Sequence, residues 1–497
     1  MSNKEHFSNR WGIILASLAM AIGAGNLWRF PRLAGQYGGT FIILWIAFLL
    51  IWSIPILLAE FSIGKKFKKG VIGSYAEMTG KNYAWIGFFI TVCTLCITFY
   101  YSVVTAWALR YLGLSLSYAF SADNLGEKIA TSPEYLETYW NSVSNGSSST
   151  IILYVITIIV AIWLLSRGIQ QGLEKASKIL IPTLFVLLVI IATIALNMDG
   201  GIKGLEYMFS INTANFSNPR IWLEALSQSA WSTGAGWGLI MTISSYSRDK
   251  EDVTLNTFVG AFGNNTASLL AGFAILPSVF ALSASSEEAI TYLESGNQSL
   301  TFTVIPKLFA DIPGGAWFSS IFFLALFFAA FSSLLPMIEL FTKNLLDLQL
   351  SRKVSSIIVA VCCIGFGLPS AFYLDFFNNQ DWVWGVGLII SGLAIIFAVL
   401  KHGAARFKET FIDRDSDFKV PSMYFVICIT LNIFLGAILI YWWMSQDYSK
   451  SWFNEEGQWD VTGIYSNAST VTQWAIVILV GIVLNRFLYK NFAKNKL

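Results

Sequence analysis

The stretch Ala19-Met20-Ala21-Ile22-Gly23-Ala24-Gly25-Asn26-Leu27-Trp28-Arg29-Phe30-Pro31 lies inside an apolar segment that begins near Trp11. That segment is long enough to enter a bilayer, which takes about 20 apolar residues. Its middle, however, carries Gly-Ala-Gly followed by an amide, a cation and a proline. Glycine costs a helix interior about 1 kcal/mol relative to alanine, and proline disfavours helix at the residue before it. The stretch therefore predicts a helix broken at membrane depth. Backbone groups freed at that depth must be buried in protein or line a cavity, because lipid offers them no partner. The tripeptide recurs in Gly234-Ala235-Gly236-Trp237-Gly238, inside the sixth apolar segment, roughly Ile221 to Tyr246. A glycine-rich helix packed closely on a neighbour is the alternative for either stretch taken alone.

Only 12% of the 497 residues are charged and 55% are hydrophobic, with a mean hydropathy of +0.60. Soluble domains carry about 25% charge, so the composition implies an all-α polytopic membrane protein. Segments long enough to span begin near Trp11, Thr40, Trp85, Ile151, Lys178, Ile221, Leu255, Trp317, Ser355, Trp382, Tyr424 and Gln473. This gives about twelve spans at ~20 residues each, and an even number puts both termini on one side. Met1 to Arg10 is too polar for a cleaved signal peptide. With the amino terminus inside, Lys65, Lys66, Lys68, Lys69, Arg167, Lys175, Arg248, Lys343, Arg352, Lys401, Arg406 and Arg486 all fall on the inner face. The opposite loops hold few cations among acids such as Glu134, Glu137, Glu287 and Glu455. That is the positive-inside pattern, with both termini cytoplasmic. Cys93, Cys96, Cys362, Cys363 and Cys428 all sit in apolar runs, which suggests buried thiols rather than a disulfide framework. No nucleotide loop of the Gly-x4-Gly-Lys-Ser/Thr type is present, and the composition gives no sign of nucleic-acid binding. The outer connection Ser121 to Thr150 ends in the polar run Ser144 to Ser149 and reads as a flexible surface stretch. Ser285 to Pro313 reads as a lid.

Half-helix ends that aim amides at an anion and carbonyls at a cation are a construction of secondary transporters, and matched interruptions in two halves point to their site. Here the residues carry a family. Gly23-Ala24-Gly25-Asn26-Leu27-Trp28-Arg29-Phe30-Pro31, Tyr37-Gly38-Gly39 with Phe41, Gln228 to Ser232, Asn264 to Ala274 and Ala329 to Ser333 closely resemble the neurotransmitter:sodium symporters, prokaryotic branch. The resemblance covers nearly the whole chain. It implies the leucine-transporter fold: a first five-helix repeat over about 11–200, an inverted second repeat over about 220–402, and two further helices over about 421–491.

By the same resemblance, one sodium ion is held by the Ala21 carbonyl, Asn26, Ser232 and Asn264, completed by a substrate carboxylate. A second uses the carbonyls of Ala19, Ile22 and Ala329 with the hydroxyls of Ser332 and Ser333. The family usually has threonine or an acid at position 332, and serine keeps the oxygen. Adjacent serines in a membrane helix also commonly bond back to their own turn. Gly23 stands where amine-carrying members have an aspartate, which implies an amino acid as substrate. Its amine would meet carbonyls around Ala21, Trp231 and Ser232. Its carboxylate would meet the Ala24 and Gly25 amides at the positive end of a half helix, together with the Tyr101 hydroxyl. The side-chain pocket implied by Met20, Ile97, Tyr101, Trp231, Gly234, Trp237, Ser333 and Met337 has no charge and suits a neutral, hydrophobic side chain. Arg29 with Asp381 resembles an outer gate, and Lys4 with Asp347, beside Phe7, an inner one. Ser268 replaces a glutamate found in chloride-independent relatives, so a chloride ion held by Gln228, Ser232 and Ser268 is implied, with Trp45 where a tyrosine hydroxyl is usual.

A channel would need repeated rings or a carbonyl filter, whereas these polar positions cluster at two helix breaks. An enzyme would need a catalytic constellation of histidine, cysteine or acids, and none is found in the sequence. Within transporters the alternative is uptake of an amine-type osmolyte on the same fold.

Overall fold

The computed structural model describes residues 5–121, 123–310, 312–446 and 451–493. Ten helices among them are long and apolar enough to cross a bilayer. The two segments missing from that set are the first and the sixth, each divided into pieces too short to cross alone. With them, the twelve spans expected from hydropathy are accounted for.

The first span starts as Arg10–Ala21, capped by the Asn9 side chain, which accepts from the Gly12 amide at 2.9 Å. Ile22 and Gly23 are extended (φ/ψ −82°/97° and −118°/−173°). The chain re-enters helix at Ala24–Leu27 and continues into Arg29–Phe48. Gly38 (φ 61°, ψ −151°) bends that last piece and separates the first span from the second. An added Cβ at Gly38 would lie 2.7 Å from the Ser210 carbonyl oxygen, so glycine serves both the conformation and the close approach. The second span runs on through a π turn at Leu49–Ser53 into Ile54–Phe67.

The sixth span is Pro219–Thr233 followed by Leu239–Ser245. Between them Gly234, Gly236 and Gly238 take φ of 72°, 91° and 75°. Residues with side chains rarely adopt those values, which is why the tripeptide predicts the break.

The remaining spans are Ala84–Ala119, Ser148–Leu165, Ile169–Leu196, Val253–Leu282, Gly315–Asp347, Arg352–Phe372, Leu374–His402, Ser422–Met444 and Asn467–Ala493, third to fifth and seventh to twelfth. The third and eighth pack along each other most extensively, and the first half of the broken first span lies against the fifth, seventh and eighth. The two interruptions are thereby held within a frame of continuous helices.

Two loop expectations are resolved. The Ser121 to Thr150 connection holds helices at Leu125–Thr131 and Tyr135–Ser144, Ser144 is buried, and Ser147 caps the next helix. The expected flexible run is thus a tight junction, because Ser147 caps the following helix and Ser144 bonds back to the Trp140 carbonyl. Ser285 to Pro313 folds as Ser286–Glu294, Asn297–Ser299, Leu300–Val304 and Ile305–Ala310. Its anchor is Phe302, fully buried and stacked on Trp140 with centroids 4.8 Å apart. None of the five cysteines is disulfide-bonded; Cys93, Cys363 and Cys428 are buried, whereas Cys96 and Cys362 are partly so.

Candidate functional site

The two interruptions face one cavity of about 690 Å³. Its closed end is lined by Met20, Gly23, Tyr101, Trp231, Trp237, Ser333 and Met337, and its wall continues past Arg29, Asp381 and Gln298 to Trp442. All of the expected pocket residues line it except Ile97, which is fully buried behind it. Trp231 and Trp237 meet edge to face with centroids 5.7 Å apart. Gly234 leaves the room that Met20 uses, since a Cβ there would lie 3.1 Å from the Met20 methyl. The charged residues of the wall are Arg29, Arg32, Glu224 and Asp381, none of them within the two interruptions.

Around the first break, Asn26, Ser232, Asn264 and Ala21 are brought together. Asn26 Nδ2 donates to Asn264 Oδ1 and to Ser268 Oγ, each at 2.8 Å, while Asn26 Oδ1 accepts from the Gly23 amide at 2.9 Å. The Asn26 donor fixes the Asn264 amide with its oxygen inward. That oxygen lies 3.1 Å from the Ala21 carbonyl oxygen and 3.0 Å from that of Ser232. Three oxygens gathered with no proton between them form an arrangement that a cation stabilises, and uncharged oxygen donors suit a hard cation. The Asn26 side-chain oxygen, expected as a cation ligand, is instead turned to the Gly23 amide, where it caps the half helix. Asn265 Nδ2 and Gln228 Oε1 are buried without a partner among the described residues.

On the other side of the break, Ser333 Oγ lies 3.0 Å from the Ala19 carbonyl and 2.9 Å from that of Ile22. One hydroxyl proton serves one acceptor at a time, so this corner is also rich in oxygen. Ser332 Oγ donates to Ala329 O at 3.0 Å, on its own turn. The five residues expected at this corner thus lie on the first-span break and one facing turn of the eighth span.

Tyr101 Oη accepts from the Ala24 amide at 3.0 Å. The Ala24 amide, expected to face the substrate carboxylate, is therefore occupied by the tyrosine expected to help it. Gly25 opens into the cavity, and an added Cβ there would meet nothing within 4 Å.

The gates differ from expectation. Arg29 and Asp381 line the same cavity, yet no cation lies within 4.0 Å of Asp381 among the described residues. Arg29 Nη2 instead contacts Glu224 Oε2 at 3.2 Å and Ser227 Oγ at 2.8 Å. The physical reason is proximity: both partners stand on the face of the sixth span beside the first. Lys4 lies outside the described residues. Asp347 accepts from the Gly70 amide at 2.6 Å and lies 3.6 Å from Lys343, which stand beside it on the neighbouring loop and on its own helix.

The far end is closed by the segment before the first helix. Phe7 is buried and its amide donates to Tyr246 O at 3.1 Å. The Ser8 amide donates to Glu174 Oε2 at 2.8 Å, and Lys178 contacts Glu174 Oε1 at 2.6 Å. Arg352 bridges Glu339, at 2.9 Å, and Glu5, while Tyr246 Oη donates to Glu339 at 2.5 Å.

The carboxylates Glu5, Glu60, Glu174, Glu224 and Glu339 were not singled out in the sequence. Glu60 is fully buried, and its Oε1 accepts from the Gly236 amide at 2.5 Å, clamping the unwound part of the sixth span. A lone acid inside an apolar span was the available signal, since a charge at that depth requires a stated partner.

A family profile for the sodium:neurotransmitter symporters matches residues 4–153 and 118–494. An uncharacterized sodium-dependent transporter of Methanocaldococcus jannaschii is 32% identical, over 82% of this chain and 84% of its own length. The human sodium- and chloride-dependent neutral and basic amino acid transporter B(0+) is 22% identical, over 82% of this chain and 74% of its own. Among solved structures, MhsT in complex with L-phenylalanine is similar with a TM-score of 0.75 at 26% identity, covering 88% of this chain and 99% of that one.

Proposed function

The chain belongs to the sodium:neurotransmitter symporter family, and on that premise we propose that it carries a neutral, hydrophobic amino acid inward together with sodium. At the coarser level it is a sodium-dependent membrane transporter of the leucine-transporter fold, not an enzyme. The observation that carries the finer reading is the closed end of the cavity. Two tryptophans and two methionines line the cavity where both helix breaks meet, and none of its charged residues belongs to either break. An amino acid fits with its backbone at the breaks and its side chain among Trp231, Trp237 and Met337. Glycine at position 23 leaves the carboxylate to be the anion at this site.

Two sodium ions accompany it. One occupies the oxygens of Ala21, Ser232 and Asn264, with Asn26 positioning that set. The other takes the Ala19, Ile22 and Ala329 carbonyls with Ser332 and Ser333. The crowding of acceptor oxygens at both corners supports these assignments. Chloride at Gln228, Ser232 and Ser268 is supported by the Ser268 hydroxyl, which accepts from Asn26 and keeps its own proton for an anion; the Trp45 indole N–H is a buried donor without a partner among the described residues. The two inverted repeats, about 11–200 and 220–402, move about this site. The end bearing Phe7 faces the cytoplasm, as the distribution of Lys and Arg supports.

The reading is tested with purified protein in proteoliposomes. An inward sodium gradient should concentrate labelled L-phenylalanine, and unlabelled L-leucine should compete while L-lysine and glycine betaine do not. Concentration of betaine but not phenylalanine would replace the amino-acid reading with that of an amine-type osmolyte.

A further inference from the structure

We propose that Glu224 is a second counter-ion for Arg29, so that the outer gate is a switch between two carboxylates rather than a single ion pair. This rests on the reading of the cavity as the substrate's way in.

Arg29 stands three residues beyond Asn26, with its side chain only 15% exposed. A guanidinium so placed needs an anion, since an unpaired charge near the membrane interior is costly. Its partners are Glu224 and Ser227, one turn apart on the first half of the sixth span. Glu224, Ser227, Gln228 and Trp231 fall at i, i+3, i+4 and i+7, one helical face, and three of them line the cavity. Asp381 stands on the tenth span, exposed to the same cavity. Arg29 pairs with the carboxylate of its own side of the cavity while the passage is open. Closing the passage brings Asp381 within reach and transfers the guanidinium across.

A second carboxylate changes the energetics of that transfer. With Asp381 alone, opening would strand Arg29 without a partner and hold the gate shut. With Glu224 present, Arg29 exchanges one charge-assisted pair for another of similar strength. Opening and closing then stay near balance, free for sodium and substrate to bias. Arg32 completes the set. It lines the same wall and is anchored by Asn297 at 2.6 Å and Gln36 at 3.1 Å. It is a cation that stays on the wall with Glu224 after Arg29 leaves.

The test reads access without any substrate. Gly25→Cys places a thiol below the gate, where an added Cβ meets nothing within 4 Å, and labelling of the parent measures the background from native cysteines. Glu224→Gln in the Gly25→Cys chain should slow modification by a membrane-impermeant thiol reagent in sodium buffer severalfold. Asp381→Asn should not slow it. Ser227→Ala, a milder removal of the other Arg29 partner, should slow it less, and it serves should Glu224→Gln fail to fold. Equal labelling rates in the Glu224→Gln and Ser227→Ala chains and their Gly25→Cys parent would overturn the switch. Since no substrate is present, that result would leave the amino-acid reading intact, whereas failure of phenylalanine uptake would leave the labelling result standing.

Discussion

At the residue scale, the site depends on single atoms whose neighbours are known. Tyr101 Oη and Ser333 Oγ both face Gly23, and a Cβ there would lie 2.9 and 3.1 Å from them. Gly23→Ala is therefore expected to displace the two hydroxyls together. Its cost is that of overpacking, about 1–3 kcal/mol, read as a weaker sodium-dependent affinity for phenylalanine. Unchanged affinity would mean that the hydroxyls take no part in binding. Tyr101→Phe tests the hydroxyl alone. If it serves the substrate carboxylate, its loss should cost about 1.5–3 kcal/mol, the range for a hydrogen bond to a charged group. A loss of a few tenths would assign the hydroxyl only to the Ala24 amide. Gly23 was legible from the local break in the helix, whereas Tyr101 was named only through the family resemblance. Sequence reading did not find the Tyr101 to Ala24 hydrogen bond, because these residues are 77 positions apart and only the folded chain sets their distance.

At the element scale, the breaks were legible because glycine and proline act on their own backbone. The twelve spans were legible because hydropathy is additive along the chain. The braces that hold the broken elements were not, because they join distant residues. Glu60 grips Gly236 across 176 positions, and Arg29 chooses Glu224 over Asp381 across 195. Local sequence says that each of these charges needs a partner, but not which one. The Glu60 brace gives a prediction. Glu60→Ala leaves the Gly236 amide unpaired in the interior, a cost of about 1–3 kcal/mol for the orphaned donor plus that of the cavity created. The detergent-solubilised protein should melt at clearly lower temperature, and Glu60→Gln, which keeps an acceptor oxygen, should recover much of the loss. Equal melting of all three proteins would show that the clamp contributes nothing. Gly236→Ala should be worse than either, because φ is 91° and the added Cβ would lie 2.7 Å from the Gly392 Cα.

At the scale of the whole molecule, a cavity open at one end and a sealed far end describe one side of an alternating cycle. Among the described residues the seal is distributed over Phe7, Ser8 and Glu5, which engage the sixth, fifth and ninth spans. Charge balance across the membrane is the second whole-molecule question. Two sodium ions near the midplane without a fixed carboxylate repel each other, by several kcal/mol at an effective dielectric of about 20. Replacing chloride by gluconate should therefore depress sodium-driven uptake in the parent, and Ser268→Glu should restore it. Uptake by the parent that is indifferent to chloride would remove that ion from the account.

The central claim is that sodium and an amino acid meet where the two helix breaks face each other. Equilibrium binding of labelled L-phenylalanine to the purified protein, titrated with sodium against potassium at constant ionic strength, tests it most directly in the parent and in Asn26→Ala. The parent should bind only in sodium, and Asn26→Ala, which frees both the half-helix cap and the Asn264 oxygen, should lose sodium-dependent binding. Phenylalanine binding with the same sodium dependence in both proteins would contradict it.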